Sequence, residues 1–175
     1  MKYTAKQQRA IDYLTKIGDK TRLAEYKQRL EKRNEAKIAA RTERKAKAAE
    51  AMKLVKVGDV FSCTWGYDQT NVDFFQVVAL VGKNSVRVKQ VCPAMVKDEA
   101  SGPMAADRTY AINAGEMLPA TKHSVFIKDQ INGDVKRVQD GSYRDEVKPC
   151  IKLSSFAWAY PEKPGLTKHY ESWYA

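Results

Sequence analysis

The sequence is short of the residues that staple, span or coordinate. Its three cysteines, Cys63, Cys92 and Cys150, lie far apart with no Cys-x-x-Cys. An odd set so spaced argues against a disulfide framework and a zinc ribbon, and for a reducing, cytoplasmic compartment. No apolar run approaches the ~20 residues that cross a bilayer as a helix. Residues 1–8 carry no hydrophobic stretch behind their charges, so no secretory signal is expected. The two histidines, His123 and His169, have no metal-ligand spacing with each other or with a cysteine. A Gly-rich phosphate loop and a nucleophile elbow are both missing. No catalytic residue, cofactor or metal is assigned, and the chain is read as non-enzymatic. Asp59, Asp68 and Asp73 could in principle share a divalent cation for phosphodiester cleavage. Acidic residues beside a β-turn are common, however, and the nuclease reading is set aside.

What is present is charge of one sign, in one place. The chain has 175 residues and a formal net charge of +10. Residues 1–56 hold 17 Lys/Arg against 7 Asp/Glu, whereas residues 57–175 hold 14 of each. The whole excess therefore lies in the first third. The aromatics divide the other way: only Tyr3, Tyr13 and Tyr26 precede Lys56, and 14 of 17 follow it. A basic arm on a neutral, core-forming domain is the expected organisation, with the boundary at residues 56/57.

The arm reads as helix. Residues 1–56 contain no proline and one glycine, Gly18. Thr4 and Gln7 fit a capping box, and Ala10, Leu14 and Ile17 recur at helical spacing with Ile11 adjoining. Gly18 suits the end of this short helix and Asp19 the start of a second. The second runs from about Lys20 to about Lys56, roughly 55 Å at ~1.5 Å per residue. Its apolar stripe is Leu23, Tyr26, Leu30 and Ile38. Beyond Ile38 the segment is rich in alanine and charge, with nothing large to bury. Arg33, Lys37, Arg41, Arg44 and Lys45 fall on one side at three- and four-residue spacing. Such a row matches a polyphosphate, because each cation displaces a condensed counterion. A solvated spacer and a protein-binding coil are the blander readings. Insertion into a membrane surface is disfavoured, since the polar part lacks a Trp/Phe/Leu face.

From Val57 the texture becomes that of a small antiparallel β domain. Phe61, Cys63 and Trp65 alternate with Ser62 and Thr64. Val72–Val81 and Ser85–Val91 follow, joined by Gly82-Lys83-Asn84. Asn132-Gly133 predicts a type I′ hairpin joining strands Ser124–Ile131 and Asp134–Gln139. Asp140-Gly141 predicts a further turn, and Cys150–Ser155 another strand. The fold class is α+β: a helical arm followed by an SH3-like barrel. Residues 93–120, rich in Ala, Met, Gly and Pro, show no sustained period and read as a long irregular excursion. The last 20 residues hold six aromatics, Phe156, Trp158, Tyr160, Tyr170, Trp173 and Tyr174, so the tail is expected to fold back on the barrel.

The block Trp65-Gly66-Tyr67-Asp68-Gln69-Thr70-Asn71, followed by Val72-Asp73-Phe74-Phe75-Gln76-Val77, resembles a group of small proteins encoded by bacteriophages and other mobile elements. The likeness covers about 20 residues, with a looser one in the Lys-Pro and tyrosine-rich C-terminus, and it leaves out the basic arm. No activity is established for the group. The resemblance implies a phage or mobile-element protein made in the cytoplasm of a bacterial host. Physically, Trp65, Tyr67, Asp68 and Asn71 read as a recognition loop, with Trp65 or Tyr67 stacking on a base or clasping a peptide. The alternative is a self-bonded turn in which Trp65 fills the core.

These features lead first to binding of DNA or RNA by the basic helix, with the β domain as a second recognition module. A phage-encoded inhibitor of a host defence or nuclease complex is the second reading. There the stripe from Leu23 to Ile38 would dock on a host protein. A virion component is the third.

Overall fold

The computed structural model describes residues 3–67, 69–97, 105–106, 108–117, 126–142, 146–163, 169 and 171–172. The chain divides into two compact units, Met1–Glu43 and Arg44–Ala175.

Helix α1 spans Ala5–Lys16 and α2 spans Lys20–Lys53. The capping box forms: Thr4 Oγ1 accepts from the Gln7 N–H at 3.3 Å, and the Thr4 N–H donates to Gln7 Oε1 at 2.8 Å. Gly18 takes φ +73° between the helices, and Asp19 Oδ1 accepts from the Arg22 N–H at 2.9 Å to start α2. In the first unit Ile11 and Leu30 are buried, each contributing about 1.5–3 kcal/mol. The stripe stops there, because Ile38 is exposed.

The second unit takes in the end of α2. Ala48, Ala51 and Val55 are buried, the last two within the barrel core. The alanine-rich segment thus has a packed side. The small residues let a helix backbone come close to the sheet.

Six strands close the barrel: β1 (Val60–Trp65), β2 (Asn71–Val81), β3 (Ser85–Lys97), β6 (Asp134–Asp140), β7 (Pro149–Lys152) and β8 (Trp158–Glu162). Every pairing is antiparallel, and β2–β3 and β1–β8 complete the ring. The expected α+β class, a helical arm and a small antiparallel barrel, is what the chain forms. Alternate residues point inward: Phe61, Cys63, Phe75, Val77, Val86, Val88, Val138, Ile151 and Ala159 share the core. Val60, Val72, Phe74 and Val91 make a second buried cluster. His169 reaches this cluster, its ring meeting Phe74 edge-on at 5.3 Å. Tyr170, Trp173 and Tyr174 lie outside the described residues.

The sequence reading differs from the structure within 93–120 and at the expected Asn132-Gly133 hairpin, among other places. Within 93–120, where no period is visible, β3 continues to Lys97 and pairs with β5 (Arg108–Met117). The register shifts between Val91 and Pro93, where a proline without an N–H is tolerated. A short β4 (Ala105–Ala106) pairs with β9 (Glu171–Ser172).

The Asn132-Gly133 hairpin does not form. Residues 126–131 contain no strand, and β6 pairs with β3 and β7 instead. Type I′ geometry requires positive φ at both positions, and among the described residues only glycines adopt it. Asp129 organises a wider turn. Its Oδ1 accepts from the N–H groups of Asn132 (2.8 Å) and Ile131 (3.1 Å), and its carbonyl accepts from Gly133. The Asn132 N–H above all holds the Asp129 carboxyl below its usual range. Gly133 is needed because a Cβ there would lie 2.7 Å from the Val88 carbonyl oxygen. Ser124 and Val125 lie outside the described residues.

Candidate functional site

Arg33, Lys37, Arg41, Arg44 and Lys45 are all exposed on α2. Arg33, Lys37 and Arg41 fall in the first unit and Arg44 and Lys45 in the second. Arg33 and Lys37 also line a groove of about 460 Å³ between the first turn of α1 and the middle of α2. Lys6 and Arg29 complete its cationic lining, Leu30 is its apolar floor, and Tyr26 supplies a ring. No carboxylate is among its described lining residues. Arg29 sits 5.3 Å from the centre of the Tyr26 ring. Sequence reasoning missed Lys6, because only the tertiary fold brings it opposite α2. Arg29 could have been found: it precedes Arg33 by one helical step and follows Tyr26 by three residues.

The Trp65–Asn71 block divides between fold and surface. Trp65 closes β1 and turns its ring toward the core, meeting Phe126 edge-on at 5.4 Å and 83°. Its indole N–H donates to Asp73 Oδ2 at 2.6 Å. Gln90 Nε2 donates to the other carboxylate oxygen at 2.7 Å. Trp65 therefore packs within the barrel. Tyr67 is fully exposed. Asn71 Oδ1 accepts from Gln69 Nε2 at 3.1 Å. Asp68 lies outside the described residues. Gly66 adopts φ +133°, and a Cβ there would fall 1.8 Å from the Gln69 carbonyl oxygen. The loop is thus built around a backbone contact that only glycine permits.

Comparison with known proteins adds no relative. No family model, curated protein or solved structure matches the chain.

Burial pushes the Asp73 carboxyl above its usual value, and its bonds from Trp65 and Gln90 offset this only in part. Asp59 Oδ2 accepts from the Lys56 N–H at 2.7 Å, capping the approach to β1. Among the described residues no cluster of three or more His, Cys, Asp or Glu is arranged to hold a metal. Cys63 and Cys150 are buried, and burial, with Asp73 and Asp140 respectively adding to it, pushes both thiols up to about 11. His123 lies outside the described residues, and His169 Nε2 is 3.3 Å from Glu162 Oε1. No helix among the described residues is long and apolar enough to cross a membrane.

Proposed function

We propose that this chain is a non-enzymatic phage or mobile-element protein that binds nucleic acid through the basic surface of α2. Arg33, Lys37, Arg41, Arg44 and Lys45 contact phosphates, and the barrel acts as a second recognition module that presents Tyr67. One observation carries the reading. The +10 excess is confined to residues 1–56, and these five cations are all solvent-exposed. Contacts of this kind discriminate poorly between sequences and respond strongly to salt.

The alternative, an inhibitor docking on a host protein complex through the stripe Leu23, Tyr26, Leu30 and Ile38, has less support. Leu30 is buried, and Leu23 and Tyr26 are half-buried, so most of that stripe is already used within the helical unit.

A salt titration of the full chain on duplex DNA tests the proposal. With ~4–6 phosphates engaged, log K falls against log salt with a slope of roughly −4 to −5. Arg41→Glu combined with Arg44→Glu weakens binding strongly. Unchanged affinity of that double variant at moderate salt overturns the assignment.

A further inference from the structure

The row of cations on α2 would serve a duplex and a single strand equally well. The groove beside it is different, because it is concave and carries a ring. Its volume of about 460 Å³ falls within the ~300–1,000 Å³ typical of small-ligand sites. That is room for one nucleotide, not for a double helix. The lining pairs an aromatic ring, Tyr26, with Lys6, Arg29, Arg33 and Lys37. Base and phosphate need those two chemistries side by side. The N-terminal end of α1 opens on the same groove through Thr4 and Lys6, and its first turn holds no acidic residue to cancel the helix dipole. A duplex keeps its base faces stacked on one another. A single strand can turn a base outward onto a ring.

We propose that this groove seats one nucleotide of a single strand, its base against Tyr26 and its flanking phosphates on Lys6, Arg29, Arg33 and Lys37. The inference rests on the phosphate-binding role of α2 and adds substrate class to it. Arg29 has two parts in the site: it balances a phosphate and, packed at 5.3 Å, holds the Tyr26 ring. Lys6 comes from the other helix and closes the groove over the strand.

The test compares a labelled oligothymidylate with a duplex of equal length, using the full chain. Tyr26→Leu keeps the apolar bulk and removes the ring face. It lowers single-strand affinity about tenfold and leaves duplex affinity unchanged. Tyr26→Phe binds both as the unaltered protein does. Lys6→Gln changes an exposed position outside the α2 row, so folding is not at stake. It lowers the single-strand salt slope by about 0.7 and leaves the duplex slope alone. If Tyr26→Leu and Lys6→Gln leave single-strand binding intact, or weaken duplex binding equally, the groove assignment is wrong while the phosphate reading stands. If the unaltered chain binds neither probe at low salt, the phosphate reading fails and takes this inference with it. Should Tyr26→Leu lose helicity by circular dichroism, Lys6→Gln decides alone.

Discussion

Trp65 and Asp73 are diagonal neighbours on the β1–β2 pair, Asp73 lying opposite Cys63, and the Trp65 indole N–H donates to the Asp73 carboxylate at 2.6 Å. The other carboxylate oxygen takes its hydrogen bond from Gln90 on β3. One acidic side chain thus ties three consecutive barrel strands together at the end that carries the Trp65–Asn71 block. An aspartate in an otherwise apolar run, Val72-Asp73-Phe74-Phe75, has a structural reason to be there. The indole of Trp65 would otherwise be a half-buried donor without a protein partner.

Asp73→Ala should cost about 1–3 kcal/mol by stranding the Trp65 and Gln90 donors. Asp73→Asn should cost less than Asp73→Ala. Gln90 Oε1 is buried without a partner among the described residues, so the amide can turn over to accept from the new Asn. The two substitutions also differ from the parent in pH response. The folded carboxyl is raised above its unfolded value of 3.8, so its contribution is fully present below that value and is lost as pH rises through the raised one. Asn does not titrate. Urea denaturation from about pH 4 to pH 7 should therefore show Asp73→Asn gaining on the parent as pH rises. A constant difference would refute the assigned shift.

The helix caps, the first three barrel strands and the basic row were legible because each rests on local rules. Thr4 and Gln7 are three residues apart, Phe61, Cys63 and Trp65 alternate, and Arg33, Lys37 and Arg41 follow the helical step. The misreadings arose where distant contacts override local preference. Asn132-Gly133 is a strong hairpin signal, but the Asp129 side chain captures the amides of 131 and 132, and Gly133 is held against Val88. Residues 93–97 and 108–117 pair as strands without an alternating pattern. The groove cation Lys6 could not be found at all, since nothing in its own neighbourhood announces a partner helix more than twenty residues away.

The buried end of α2 gives a direct test of what the alanines do. Ala51 is fully buried in the barrel core, whereas Ala49 is exposed. Ala51→Leu should destabilise the protein by about 1–3 kcal/mol through overpacking, and Ala49→Leu should be close to neutral. Thermal denaturation of the two variants compares them at equal change in bulk. Equal stability would mean the segment is a spacer after all.

Gly66 and Gly82 both hold positive φ, but their surroundings differ. Around Gly82 nothing lies within 4 Å of an added Cβ, whereas at Gly66 the Gln69 carbonyl oxygen is 1.8 Å away. Gly82→Ala should cost about 1–2 kcal/mol, the ordinary penalty of the left-handed region. Gly66→Ala should cost more, because the backbone of the Trp65–Asn71 loop must move. Chemical denaturation gives the two values, and a smaller loss at Gly66 would contradict the described loop.

The thiols make a chemical prediction. At pH 8, well below their raised value of about 11, Cys63 and Cys150 are roughly one part in a thousand thiolate. Iodoacetamide on the native protein should therefore label both far more slowly than on the unfolded chain, as read by peptide mass. The same shifts make the fold sensitive to alkali. Each buried thiol contributes stability that is present below the unfolded value of 9.0 and is lost as pH rises toward about 11. Replacing Cys63 by Ala should flatten that alkaline decline, at the cost of a small cavity.

The location of the charge is as testable as its amount. The barrel carries exposed lysines too, among them Lys83 and Lys128, but residues 57–175 are balanced in charge. Reversing Arg41 and Arg44 to Glu should reduce the duplex salt slope by about two, one for each lost phosphate contact. Reversing Lys83 and Lys128 changes the net charge by the same amount. If phosphates meet α2 specifically, that second variant should keep both affinity and slope near those of the parent. Equal losses from the two variants would show that binding follows net charge alone. The alignment of Arg33, Lys37, Arg41, Arg44 and Lys45 would then be a property of a solvated helix and not of a binding surface.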